Sequence, residues 1–147
     1  MPDPDHLIEV VREWVIKAEN DLKNAAHTLK LGKDCPTDTV CFHAQQCVEK
    51  YLKALLVYKG IDFPKTHDLE RLIALLPAVV RPTLSPEDCG RLTEYSTGAR
   101  YPGWDEIPLA ESRQAVRMAR RVRREIRTIL PPMLCSSTIP PRSRSAP

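Results

Sequence analysis

Apolar residues recur at alternating steps of three and four near the start of the chain: Ile8, Val11, Val15, Ala18, Leu22, Ala25, Ala26 and Leu29. That period puts them on one side of a helix and predicts a first helix from about Asp5 to Lys30, with Gly32 just past its end. The segment from Lys33 to Asp38 holds Pro36 and reads as a loop. A second stripe, Cys47, Val48, Tyr51, Leu52 and Leu55, predicts a helix from about Thr39 to Lys59 that stops at Gly60 and runs antiparallel to the first.

Beyond a linker containing Pro64, Thr66 is the expected cap of a short third helix with Asp68 in its first turn, closed by Pro77 after Leu76. Ser85-Pro86-Glu87-Asp88 joins a capping serine, a proline at the first helical position and acids in the first turn, so a fourth helix starts there and runs to Gly98. Arg100-Tyr101-Pro102-Gly103-Trp104-Asp105 is a loop, because Pro-Gly disfavours both helix and central strand. A fifth helix, about Leu109 to Leu130, carries the apolar row Ala115, Ala119, Val122, Ile126 and Ile129. From Pro131 prolines, serines and arginines follow without periodicity, and a disordered tail is expected. The expectation is an all-α, up-and-down bundle of four to five helices over residues 1–130, with the tail over 131–147.

Composition agrees. At 147 residues the chain suits one domain, and 5% aromatics with 5 glycines argue against a sandwich of many tight turns. The five cysteines are odd in number and form no C-x-x-C pair, so no disulfide framework or metal site is expected, and a reducing cytoplasm is the simplest location. Met1-Pro2-Asp3-Pro4-Asp5 lacks the basic and apolar opening of a signal peptide, and no apolar run approaches membrane-spanning length. Charge changes the picture more. The formal net charge is +3, yet residues 1–109 carry 13 Lys or Arg against 17 Asp or Glu, while the remainder holds nine arginines against two glutamates. A basic last helix is attached to an acidic body.

On the second helix Gln46, Glu49, Lys50 and Lys53 fall at i, i+3, i+4 and i+7, beside the apolar stripe. They form either a solvated face stiffened by the Glu49–Lys53 pair, worth about 0.2–0.5 kcal/mol, or a polar cleft or dimer surface. Burial without a core role would separate the two. His43 lies three residues before Gln46 and either joins that surface or is a boundary residue. His67 with Asp68 is a candidate nucleotide-contacting or proton-handling pair, or local capping. Arg100 and Tyr101 either line a cleft or serve the loop, Tyr101 and Trp104 anchoring it while Arg100 pairs with a carboxylate such as Glu49 or Glu94. On the last helix Arg113, Arg117, Arg120, Arg124 and Arg127 form a row suited to RNA phosphates or to an acidic partner, without interleaved aromatics.

Phe42-His43-Ala44-Gln45-Gln46 leading into Glu49-Lys50 and Lys53, then Pro64-Lys65-Thr66-His67-Asp68-Leu69, then Arg100-Tyr101-Pro102-Gly103, together resemble a HEPN domain, the helical family named for higher eukaryotes and prokaryotes nucleotide-binding. The resemblance spans about residues 7–130. It implies a helical bundle that dimerises and shares a polar cleft, here Gln46, Glu49, Lys50, Lys53, His67, Asp68, Arg100 and Tyr101. It also implies a minimal nucleotidyltransferase as toxin–antitoxin partner and nucleotide or RNA as ligand; no cofactor or metal is expected. Catalytic members are metal-independent ribonucleases with an arginine followed after four to six residues by a histidine. At that spacing Arg100 is followed by Asp105, Glu106 or Ile107, and no other arginine in the chain precedes a histidine correctly. Metal-independent cleavage needs proton-transfer groups beside a cation, and arginine supplies only charge. The expected function is therefore a dimeric nucleotide- or partner-binding component, with a ribonuclease using Arg100 and a substitute histidine as the alternative.

Overall fold

A computed structural model describes residues 3–135, in which α1 (Pro4–Leu29), α2 (Thr37–Tyr58), α3 (Leu69–Ala74), α4 (Pro86–Thr97) and α5 (Leu109–Ile129) follow in order. Short 3-10 turns at Gly32–Asp34, Ala78–Val80 and Pro132–Cys135 complete the regular structure, and no strand occurs among the described residues. The up-and-down helical bundle expected from the periodicity is what forms. No helix among the described residues is long and apolar enough to cross a membrane.

Most ends follow local chemistry. The Ser85 hydroxyl accepts from the Asp88 amide at 3.1 Å, with Pro86 in the first turn, as the sequence dictates. Gly60 ends α2 with φ +70°, a conformation costly for residues with a Cβ. The cap of α3 differs from expectation. Asp68, not Thr66, is the N-cap, its carboxylate accepting from the Arg71 amide, and Thr66 instead accepts from the Asp68 amide. Gly98 ends α4 without a left-handed backbone; its lack of a side chain matters because a Cβ there would lie 2.9 Å from the Trp104 ring.

α1 and α2 are antiparallel, with Asp21 meeting Lys50 and Trp14 meeting Lys53. α2 packs against each of the other four helices. Its residues from Tyr51 to Leu56 are consequently all buried, whereas a simple amphipathic helix would expose part of each turn. α5 is fastened to α1 by Glu19, whose Oε1 accepts from Tyr51 Oη at 2.7 Å, Arg123 Nε at 2.7 Å and Arg127 Nη1 at 2.6 Å. The tail expected from Pro131 does not begin there: Pro132–Cys135 form a turn with Leu134 buried, and Arg127 Nη2 donates to the Cys135 carbonyl at 3.1 Å. The rest of that expectation, residues 136–147, lies outside the described residues.

Burial pulls the Glu19 carboxyl pKa up, but hydrogen bonds from Tyr51 and Arg123 and the charges of Arg123 and Arg127 outweigh it and hold the group below its ordinary 4.5. The folded state therefore favours the carboxylate, a stabilisation present above pH 4.5 and lost as pH falls below it. Glu19→Gln is expected to cost about 1–3 kcal/mol in urea unfolding at neutral pH. The gap to the wild type should narrow in acid, and a gap unchanged by pH would contradict this account. Gly98→Ala, which on helix propensity alone would stabilise, is expected to cost about 1 kcal/mol through the Trp104 ring. In a Trp104→Ala background the sign should reverse.

Candidate functional site

Between Val40 and Leu56 the residues of α2 that reach solvent are Phe42, His43, Gln46 and Lys50. Their spacing makes a single stripe, left open because α1 covers one side of it and the segments before α3 and after α4 cover the other. This polar stripe along the central helix, flanked by contacts from both sides, is termed the α2 groove. Asp21 and Trp14 of α1 touch its floor at Lys50 and Lys53, and His67 and Arg100 touch it at Glu49 and Phe42.

Glu49 is the hub. It is 3% exposed, and Lys53 is 9% exposed, so the pair is not the solvated helix face that spacing alone allowed. Glu49 Oε1 accepts from Gln45 Nε2 at 3.1 Å and from His67 Nδ1 at 2.7 Å, and Oε2 accepts from Lys53 Nζ at 3.1 Å. Gln45 in turn accepts from Gln46 Nε2 at 2.7 Å. Lys53 Nζ also lies over Trp14 at 5.5 Å and Phe63 at 5.8 Å, two rings packed edge to face. Burying a carboxylate is costly unless its lone pairs are filled, and here both oxygens have donors. The His67 side chain is itself 57% exposed, so the network reaches the surface through it.

A second carboxylate organises the other end. Asp21 takes His43 Nδ1 on Oδ1 at 2.7 Å and Lys50 Nζ on Oδ2 at 2.5 Å. With a carboxylate as acceptor, the imidazole proton of both His43 and His67 is assigned to Nδ1. Arg100 pairs with neither Glu49 nor Glu94. Its guanidinium sits 3.7 Å over the Phe42 ring, Phe42 packs against the His43 ring with centroids 5.4 Å apart, and Glu94 is taken by Arg91.

Of the sequence candidates, Gln46, Glu49, Lys53 and His67 thus share one network, Lys50 joins Asp21 and His43, and Arg100 reaches them through Phe42. Asp68 serves as a helix cap. Tyr101 is 63% exposed and does not anchor its loop, a role that falls to Trp104 against Gly98. Arg127 leaves the expected open row, turning with Arg123 to Glu19. Asp21 and Gln45 were not singled out as site residues, nor were Trp14, Phe42 and Phe63, although Gln45 and Phe42 stand in the motif that carried the resemblance. The first two carried a signal, since each is polar within a buried apolar register: Asp21 between Ala18 and Leu22, Gln45 between Ala44 and Val48.

The groove holds Lys50, Lys53 and Arg100 against Asp21 and Glu49, a surplus of one cation before the histidines are counted, which suits an anionic ligand or acidic side chains. Thiol chemistry has no support nearby. Burial first, then Glu19 and Asp21, push the Cys47 thiol up, and Cys41 is pushed up to about 12, chiefly by burial.

No curated protein matches the chain. Two solved structures resemble it: TT1696 from Thermus thermophilus, with 28% identity over 82% of this chain and 98% of that one and a TM-score of 0.66, and the archaeal HEPN homologue ST0689, with 26% identity over 81% and 96% and a TM-score of 0.60. The HEPN domain family matches residues 11–130, a span that contains α2, the groove and its surrounding network. The chain belongs to the HEPN domain family.

Proposed function

We propose that this protein is the binding component of a HEPN–nucleotidyltransferase pair of the toxin–antitoxin kind. It forms a homodimer, holds a nucleotide or partner side chains in the groove over α2, and does not itself cleave RNA. The observation that carries this reading is that Lys50 and Lys53 are each locked to a buried carboxylate, Asp21 and Glu49. A fixed and nearly balanced set of donors recognises by complementarity, whereas phosphodiester cleavage needs groups free to exchange protons beside the cation that steadies the transition state. Arg100 supplies charge alone, and the residues after it at the ribonuclease spacing are Asp105, Glu106 and Ile107. The open side of the groove is where a second copy would complete a shared cleft.

A second reading, a ribonuclease toxin using Arg100 with a substitute histidine, is favoured by two contacts of Phe42: Arg100 lies over its face and the His43 ring packs against it. Purified protein incubated with total RNA, with and without EDTA, is expected to leave the RNA intact. Cleavage that disappears in both Arg100→Ala and His43→Ala would replace the first reading by the second.

Co-expression with a nucleotidyltransferase encoded in the adjacent reading frame is expected to give a stable complex. Arg100→Glu, at an exposed position, should weaken it by about tenfold or more. A protein that sediments as a monomer at micromolar concentration and captures no such partner would overturn the binding-component reading.

A further inference from the structure

The seven arginines of α5 separate into sets with different surroundings. Arg123 and Arg127 are turned inward on Glu19, and Arg121 is half-buried. Arg113, Arg117, Arg120 and Arg124 are exposed. These four recur at i, i+4, i+7 and i+11, which lines them up along one face for about 16 Å of helix.

None of the four meets a carboxylate among the described residues. Arg117 donates to Gln114 Oε1 at 3.0 and 2.8 Å. The acids of α5 are engaged elsewhere, Glu111 with Arg91 and Tyr95, and Glu125 with the Thr83 amide at 2.8 Å. Between Arg120 and Arg124 the surface dips into a shallow depression lined by these two with Arg123, Arg127 and Thr128. A solvated face of a stable helix ordinarily mixes signs, and a row of like charges at helical spacing destabilises the helix it stands on. This row is therefore retained against a local cost.

We propose that the outer face of α5 binds the phosphate backbone of double-stranded nucleic acid without reading its sequence. The face is short of what a protein partner needs. The large exposed hydrophobics, Leu31, Leu75, Val79, Tyr101 and Met133, all lie outside α5, so no apolar centre is available to a protein interface. It is equally short of what single strands need, since no aromatic stands among the arginines to stack a base. What it offers is forked cations in a row, and a duplex carries one charge per about 3.4 Å of its axis on each strand, a phosphate density high enough to give each of the four arginines a partner. This surface is separate from the α2 groove and stands whether or not that groove binds a nucleotidyltransferase.

The test is the salt dependence of binding to fluorescein-labelled duplexes of arbitrary sequence, RNA and DNA, by anisotropy. Four neutralised phosphates give a slope of log affinity on log salt of about −3.6, a loss of about 150-fold between about 50 and 200 mM salt. Each Arg→Gln substitution at 113, 117, 120 or 124 should make the slope shallower by about 0.9. Arg71→Gln on α3, outside both surfaces, should leave it unchanged, and circular dichroism should show every variant equally helical. A slope that survives the fourfold substitution overturns the proposal, as does binding confined to single strands. Displacement by polyglutamate as effective as by unlabelled duplex would also overturn it and assign the face to an acidic protein.

Discussion

Because α2 is packed against four other helices, any polar group on it has to find its partner inside the bundle or along the single stripe left open. Glu49 is where that constraint is sharpest. A carboxylate 3% exposed must have its oxygens filled, and Gln45, Lys53 and His67 fill them from α2 itself and from the segment before α3. Asp21 meets the same demand from α1 with His43 and Lys50. Replacing such networks by apolar residues would often be as stable, so their presence beside solvent is not explained by stability alone.

The same demand divides the arginines. Glu19 needs donors where α1, α2 and α5 meet, and Arg123, Arg127 and Tyr51 provide them. Arg127 then has a second group of donors free for the Cys135 carbonyl, which extends the ordered structure past the last long helix. The outer arginines meet no carboxylate among the described residues. One helix thus carries two electrostatic roles, an internal clasp and an external field, separated by rotation about its axis.

The groove and the loop after α4 are joined by aromatic contacts rather than by ion pairs. Trp104 packs on Gly98 and so fixes the loop, and Arg100 lies flat on Phe42. A guanidinium on a ring keeps its edge donors available, whereas one paired to Glu49 or Glu94 would have used them. Among the described residues that leaves Arg100 as the groove cation with no ion-pair partner, unlike Lys50 and Lys53.

Much of this was determined by sequence alone. Apolar residues at steps of three and four, a Ser-Pro start and glycines past helix ends are local features, and they set the five helices to within a residue or two at most ends, together with the all-α class. The motifs around Phe42, Thr66 and Arg100 identified the family, and the missing histidine after Arg100 was legible from spacing. Only the tertiary structure decided what each polar residue touches. Asp21 and Lys50 are 29 positions apart, Glu19 and Arg127 are 108 apart, and no periodicity in one segment specifies a partner in another. The reason is that period reports which face of a helix is apolar, whereas the partner of a charge depends on how many helices surround it. Once four of them surround α2, the residues read as the polar edge of an amphipathic helix become a buried network, and one arginine of an apparently uniform row becomes a clasp.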